Sequence, residues 1–126
     1  MGRSRKDYAL VEDIEIYFRP WGTYQILYRS KDTNVKKIII FPGQSISLQS
    51  HLHRDEHWTV YEGIGKATVD EKQFKLSPGD HIKIDRNQIH RMTCVSESPL
   101  CFIEVQTGDY FGEDDITRYE DLYGRN

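Results

Sequence analysis

Short runs in which apolar and polar residues alternate, each closed by a turn signal, constrain this chain more than any other feature. They fall at 23–28, 35–41, 45–53, 56–61, 65–69, 73–76, 81–84, 90–94 and 100–106. Between them stand Pro42-Gly43, Gly63-Ile64-Gly65, Asp70-Glu71-Lys72, Pro78-Gly79-Asp80 and the stretch 96–99 that ends in Pro99. A period of two sends successive side chains to opposite faces of a strand. Strands this short and this evenly spaced predict an antiparallel sandwich or barrel. Residues 8–18 read as a further strand or an arm. Residues 114–123 read as a short C-terminal helix, with Glu113, Asp114 and Asp115 placed to favour its N-terminal dipole.

A chain of 126 residues makes one domain and buries a core without staples. Its net charge of −3, with Lys and Arg scattered along the sequence, gives no footprint for nucleic acid. No apolar run approaches membrane-spanning length. The basic N-terminus lacks the apolar core of a secretory signal, so a cytoplasmic location is expected. Cys94 and Cys101 sit in apolar strand contexts and read as buried free thiols rather than a disulfide. Trp21 and Trp58 read as core.

The chemistry lies in the histidines. Along 45–53, Ile46, Leu48 and Leu52 fall on one face, and Ser47, Gln49, His51 and His53 on the other. An apolar face backed by a Gln/His/His face is what a barrel wall looks like when the interior holds a polar site. Glu56 follows the charged turn His53-Arg54-Asp55, and His90 opens a later strand after the turn Asp85-Arg86-Asn87. Two imidazoles, a carboxylate and an amide oxygen suit one divalent metal ion. A neutral amide among the ligands leaves room for a substrate oxygen, which points to chemistry on an oxygen-rich small molecule.

The series Gly43, Gln49, His51, Glu56, Gly63 resembles the first cupin motif, with Gln49 where the usual first histidine stands. Gly79 and His90 match the second motif, while its other positions differ. Arg19-Pro20-Trp21-Gly22, Ser47-Leu48-Gln49-Ser50-His51, Glu56-His57-Trp58, Ile103-Glu104-Val105-Gln106, Gly112-Glu113-Asp114-Asp115-Ile116 and the Tyr123-Gly124-Arg125 ending are similar to type II phosphomannose isomerase. The resemblance covers residues 18–125. It implies an all-β, single-domain cupin, a double-stranded β-helix or jelly-roll barrel, with a short C-terminal helix. Residues 1–17 would then be an arm, 18–107 the barrel and 108–126 a tail.

The resemblance further implies Gln49, His51, Glu56 and His90 as metal ligands. A rival register uses His51 and His53, with Gln49 behind them. Zinc, manganese, cobalt, iron or nickel would each suit such a set. The implied reaction is metal-dependent interconversion of mannose 6-phosphate and fructose 6-phosphate through an enediol, feeding GDP-mannose synthesis. His53 and Glu104 are the candidate bases. Alternation sets Glu104 opposite Ile103 and Val105, which leaves its face open. Arg54, Lys66, Arg86 and Arg125 are the candidate phosphate ligands, Arg125 from a tail that would fold over the barrel mouth. The sequence holds no Gly-rich phosphate loop, so a separate mannose-1-phosphate guanylyltransferase is the expected partner. A homodimer paired through edge strands is also expected. The alternative is a non-catalytic, or differently specific, cupin that binds a sugar phosphate or nucleotide sugar.

Overall fold

The computed structural model describes residues 15–120; residues 8–14 of the expected arm, the end of the expected helix and Arg125 lie outside the described residues. The elements are β1 (Ile16–Arg19), β2 (Gly22–Arg29), β3 (Thr33–Ile40), β4 (Leu48–Ser50), β5 (Arg54–Glu62), β6 (Gly65–Val69), β7 (Lys72–Leu76), β8 (His81–Ile84), β9 (His90–Cys94), β10 (Leu100–Gly108) and β11 (Thr117–Glu120). They form a six-stranded sheet in the order β1-β2-β3-β10-β5-β8 and a five-stranded sheet in the order β11-β4-β9-β6-β7. Every strand pairing is antiparallel. Both sheets feed one core, Ile40, Trp58 and Phe102 from the first and Ala67, Met92 and Cys94 from the second. Burying each large apolar side chain of that set contributes about 1.5–3 kcal/mol.

Three adjacent strands of the larger sheet set up the site. Inward positions read Asn34, Lys36, Ile38, Ile40 on β3, then Arg54, Glu56, Trp58, Val60 on β5, then Leu100, Phe102, Glu104, Gln106 on β10. The register aligns like with like: Asn34 faces Gln106, Lys36 faces Glu104, Ile38 faces Phe102 and Ile40 faces Leu100. On the other side Gln106 faces Glu56, Glu104 faces Trp58 and Phe102 faces Val60. The interior is therefore dry towards one end of these strands and polar towards the other. At Gly63, φ is +78° and an added Cβ would stand 2.4 Å from the Pro99 carbonyl oxygen. Only glycine lets the β5–β6 turn approach the start of β10 that closely.

Two expectations are corrected. No helix occurs among the described residues; 117–120 instead form β11, which pairs with β4. The acids before it cap nothing: the Asp115 carboxylate accepts the backbone N–H groups of Leu52 (3.0 Å) and His53 (2.9 Å). The strand expected over 45–53 contracts to β4, preceded by an isolated bridge from Ser45 to Thr93. With its amides held by Asp115, the chain bends after Ser50, and Leu52 turns outward to 61% exposure instead of joining Ile46 in the core. Cys94 and Cys101 are free and buried.

Candidate metal centre

His51, Glu56 and His90 converge in the polar half of the barrel. Each is buried, and one ligand-capable atom from each lies within 4.8 Å of the others. His51 comes from the bend after β4, Glu56 points inward from β5, and His90 opens β9. His51 Nε2 stands 3.3 Å from Glu56 Oε2, and His90 Nε2 stands 3.7 Å from Glu56 Oε1. The far nitrogen of each ring fixes its tautomer. His51 Nδ1 lies 2.7 Å from the Asp115 carbonyl oxygen, and His90 Nδ1 lies 2.9 Å from that of Gln88. A carbonyl only accepts, so both Nδ1 atoms carry a proton, and both Nε2 atoms face Glu56.

Burial and then the Arg54 guanidinium pull the His51 imidazole down to about 4, which keeps it neutral near pH 7. Burial works against charge on Glu56, but His90 and Arg54 outweigh it and hold that carboxyl below the ordinary range. Two imidazole nitrogens and one carboxylate fit a divalent transition metal. His90 Nε2 also has no hydrogen-bond partner although it is buried, a deficit that a metal ligand would not carry.

A network of donors surrounds the triad. Arg54 Nε donates to Glu56 Oε2 at 2.9 Å, and its terminal NH2 group lies 3.2 Å from His51 Nε2. The Trp58 indole N–H is shared between Glu56 Oε1 (3.1 Å) and Glu104 Oε1 (2.9 Å). Gln106 Nε2 donates to Glu104 Oε2 at 2.7 Å, and Asn34 Nδ2 donates to Gln106 Oε1 at 3.0 Å. Glu104 is thus held at both oxygens. Burial and the neighbouring Glu56 charge push its carboxyl up from the ordinary value.

A cleft opens beside the triad. Gln49, Arg54, Glu56 and Glu104 line it, together with Tyr24, Glu113 and the cations Arg19, Lys36 and Arg118. Of the residues singled out in the sequence, the fold brings Gln49, His51, Arg54, Glu56, His90 and Glu104 together; Gln49 pairs directly with His90 across β4 and β9. Arg125 lies outside the described residues, and the remaining three stand elsewhere. His53 is half exposed, 3.6 Å from Asp109 and edge-on to Tyr110. Lys66 is exposed in mid-β6, and Arg86 sits on a surface turn with its backbone N–H bonded to Asp55.

Arg19, Lys36 and Arg118 were not singled out as phosphate ligands. Lys36 was detectable, because it precedes Ile38 and Ile40 at the inward period of two. Arg118 faces Gln49 across β11 and β4, and its buried Nε has no partner. That pairing exists only because the segment is a strand, and the expected helix hid it.

A family model described as the mannose-6-phosphate isomerase C-terminal domain matches residues 6–121. Among curated relatives, an alginate biosynthesis protein AlgA of Pseudomonas putida is 46% identical over 112 residues, 89% of this chain and 23% of the relative. A mannose-1-phosphate guanylyltransferase of Escherichia coli is 42% identical over 111 residues, 88% of this chain and 23% of that protein. The chain therefore spans about a quarter of the length of these relatives. Solved structures agree on the architecture. The capsular polysaccharide assembling protein CapF of Staphylococcus aureus superposes with a TM-score of 0.78 at 16% identity, over 88% of this chain and 33% of that one. A cupin-2 domain from Rhodospirillum rubrum does so with a TM-score of 0.67 at 19% identity, over 82% and 77%. At such identities these two speak for the fold, a cupin. The match over 6–121, joined to relatives more than two-fifths identical to it over the aligned residues, places the chain in the mannose-6-phosphate isomerase C-terminal family.

Proposed function

We propose that this chain is a metal-dependent isomerase that interconverts mannose 6-phosphate and fructose 6-phosphate. One observation carries the reading: the carboxylate of Glu104, fixed at both oxygens, shares a cleft with Glu56 of the His/His/Glu triad and with a set of cations. Aldose–ketose isomerisation moves a proton between neighbouring carbons, so it needs a positioned base and stabilisation of the charge that develops on oxygen. A divalent metal held by His51, Glu56 and His90, with Gln49 alongside, would supply Lewis-acid polarisation of the sugar's oxygens.

The protein's own residues do the rest. Glu104 takes the proton from one carbon and returns it to the other, with Trp58 and Gln106 fixing its plane. His53, outside the cleft, has no route to that proton. Trp21, Tyr24 and Ile38 give the cleft apolar wall that limits water around the exchanging proton. Arg118, Arg19 and Lys36 meet the phosphate; a buried, unpartnered guanidinium N–H costs stability until an anionic oxygen accepts it. A mannose-1-phosphate guanylyltransferase, in the same polypeptide or another, is the partner this reading calls for.

The direct test is fructose 6-phosphate formation from mannose 6-phosphate, before and after chelation and metal add-back. Turnover should vanish with chelator and return with metal. A folded, metal-bound protein inactive with every divalent ion would sink the reading and favour a sugar-binding module or another sugar. The phosphate assignment has its own check. Arg118→Ala should raise KM for mannose 6-phosphate about tenfold or more, with kcat far less changed. An unaltered KM would remove Arg118 from the substrate.

A further inference from the structure

Two of the lone pairs that a metal would use are already engaged. His51 Nδ1 spends its proton on the Asp115 carbonyl, so Nε2 can only accept, and the Arg54 NH2 group donates to it from 3.2 Å. The same guanidinium donates from Nε to Glu56 Oε2 at 2.9 Å. His90 Nε2, the third ligand atom, has no such partner. Arg54 precedes Glu56 by two residues on β5, so the period of two sends both side chains inward to the same place. It is buried and permanently charged.

We infer that Arg54 is a resident counter-cation, which holds the metal-free centre together and competes with the metal for His51 and Glu56. A buried carboxylate needs a positive partner, and in the metal-free chain the guanidinium is that partner for Glu56. A divalent ion at the triad needs the same carboxylate oxygens and the His51 lone pair, and it repels the guanidinium at short range. Metal entry therefore displaces Arg54 from both acceptors into the cleft that it already lines. Affinity for the metal is set lower than the ligand set alone would give, and in exchange the stripped protein keeps its interior charges matched. The inference rests on the metal-binding part of the proposed function and is indifferent to which sugar, if any, is turned over.

Arg54→Met keeps most of the side-chain length and removes both charge and donors. Chelator-stripped wild type and variant would be titrated with Co2+, read by its visible absorption, and with Zn2+ in competition with a chromophoric chelator. Arg54→Met should bind both ions at least tenfold more tightly, melt lower without metal, and gain more on metal addition than wild type. Arg54→Lys, which keeps a cation, should tighten binding less. Equal or weaker binding by Arg54→Met would overturn the inference, because Arg54 would then support the ligands rather than compete with the ion. A second measurement needs no variant. The Arg54 Nε–H resonance of the stripped wild type should shift or disappear with one equivalent of Zn2+, and an unchanged resonance in zinc-saturated protein would also overturn it. Wild type that binds no metal removes this inference together with the metal reading. Metal binding without turnover counts against the isomerase alone.

Discussion

Glu56→Gln should cost this protein both metal affinity and a large part of its metal-free stability. Glu56 is the carboxylate of the triad and lies between its two imidazoles. Losing its charge should weaken metal binding by more than the ~10–100-fold seen when a supporting outer residue is lost. In the stripped protein the substitution also leaves the buried Arg54 guanidinium without its carboxylate. Removing one partner of a buried pair costs about 3–5 kcal/mol. The lower end applies here, because Glu104 remains close by and the glutamine oxygen can still accept from Arg54. Denaturant unfolding of chelator-treated protein reads the loss directly. Pairing Glu56→Gln with Arg54→Met should recover part of it, since the orphaned charge leaves with its partner. A Glu56→Gln variant as stable as wild type would mean that Arg54 finds its compensation elsewhere.

The second large effect is on catalysis. Glu104→Gln should lower kcat for mannose 6-phosphate by about 10²–10⁴-fold, the range for loss of a general base. Metal affinity and melting temperature should stay close to wild type. Folding survives because the neighbouring amides can turn. A glutamine at 104 keeps its oxygen towards the Trp58 N–H and presents its NH2 to Gln106. The Gln106 amide then flips to accept, and Asn34 flips in turn to accept from Gln106. Asn34 Oδ1 has no partner at present, so the chain of flips ends without adding an unsatisfied group. Unchanged kcat in folded, metal-loaded Glu104→Gln would take the base role away from this residue.

Much of this arrangement could be read from the sequence, and the places where it could not share a physical cause. Most strands followed from alternation and turn residues, and His51, Glu56 and His90 followed from spacing. Glu104 was ambiguous because alternation was judged by hydrophobicity. On β10 the inward set runs Leu100, Phe102, Glu104, Gln106, while Ile103 and Val105 face outward and are only partly buried. Where a barrel interior is polar, the usual sign of the pattern inverts along a single strand. The segment 45–53 misled for a different reason. Its last amides are bonded by the side chain of Asp115, a contact spanning more than sixty positions that no local window contains. The C-terminal helix failed on the same contact, since Asp115, which looked like part of a cap, bonds the bend that carries His51. Lys66 and Arg86 were chosen for their nearness to motif positions, and nearness in sequence does not choose a face.

The division of the interior into a dry end and a polar end also bears on how the chain finds its pairing. Each of β3, β5 and β10 runs through both ends, so no strand can slide without carrying charge with it. A slip of one residue turns every inward side chain to the outside. A slip of two keeps the faces but sets Lys36 against Phe102 or Gln106, and no oppositely charged cross-strand partner waits for it at either. Purely aliphatic strands would tolerate that error far better. The residues that give the cleft its chemistry thereby act as checkpoints during assembly, and a chain that has paired its strands wrongly pays at once in stranded charge.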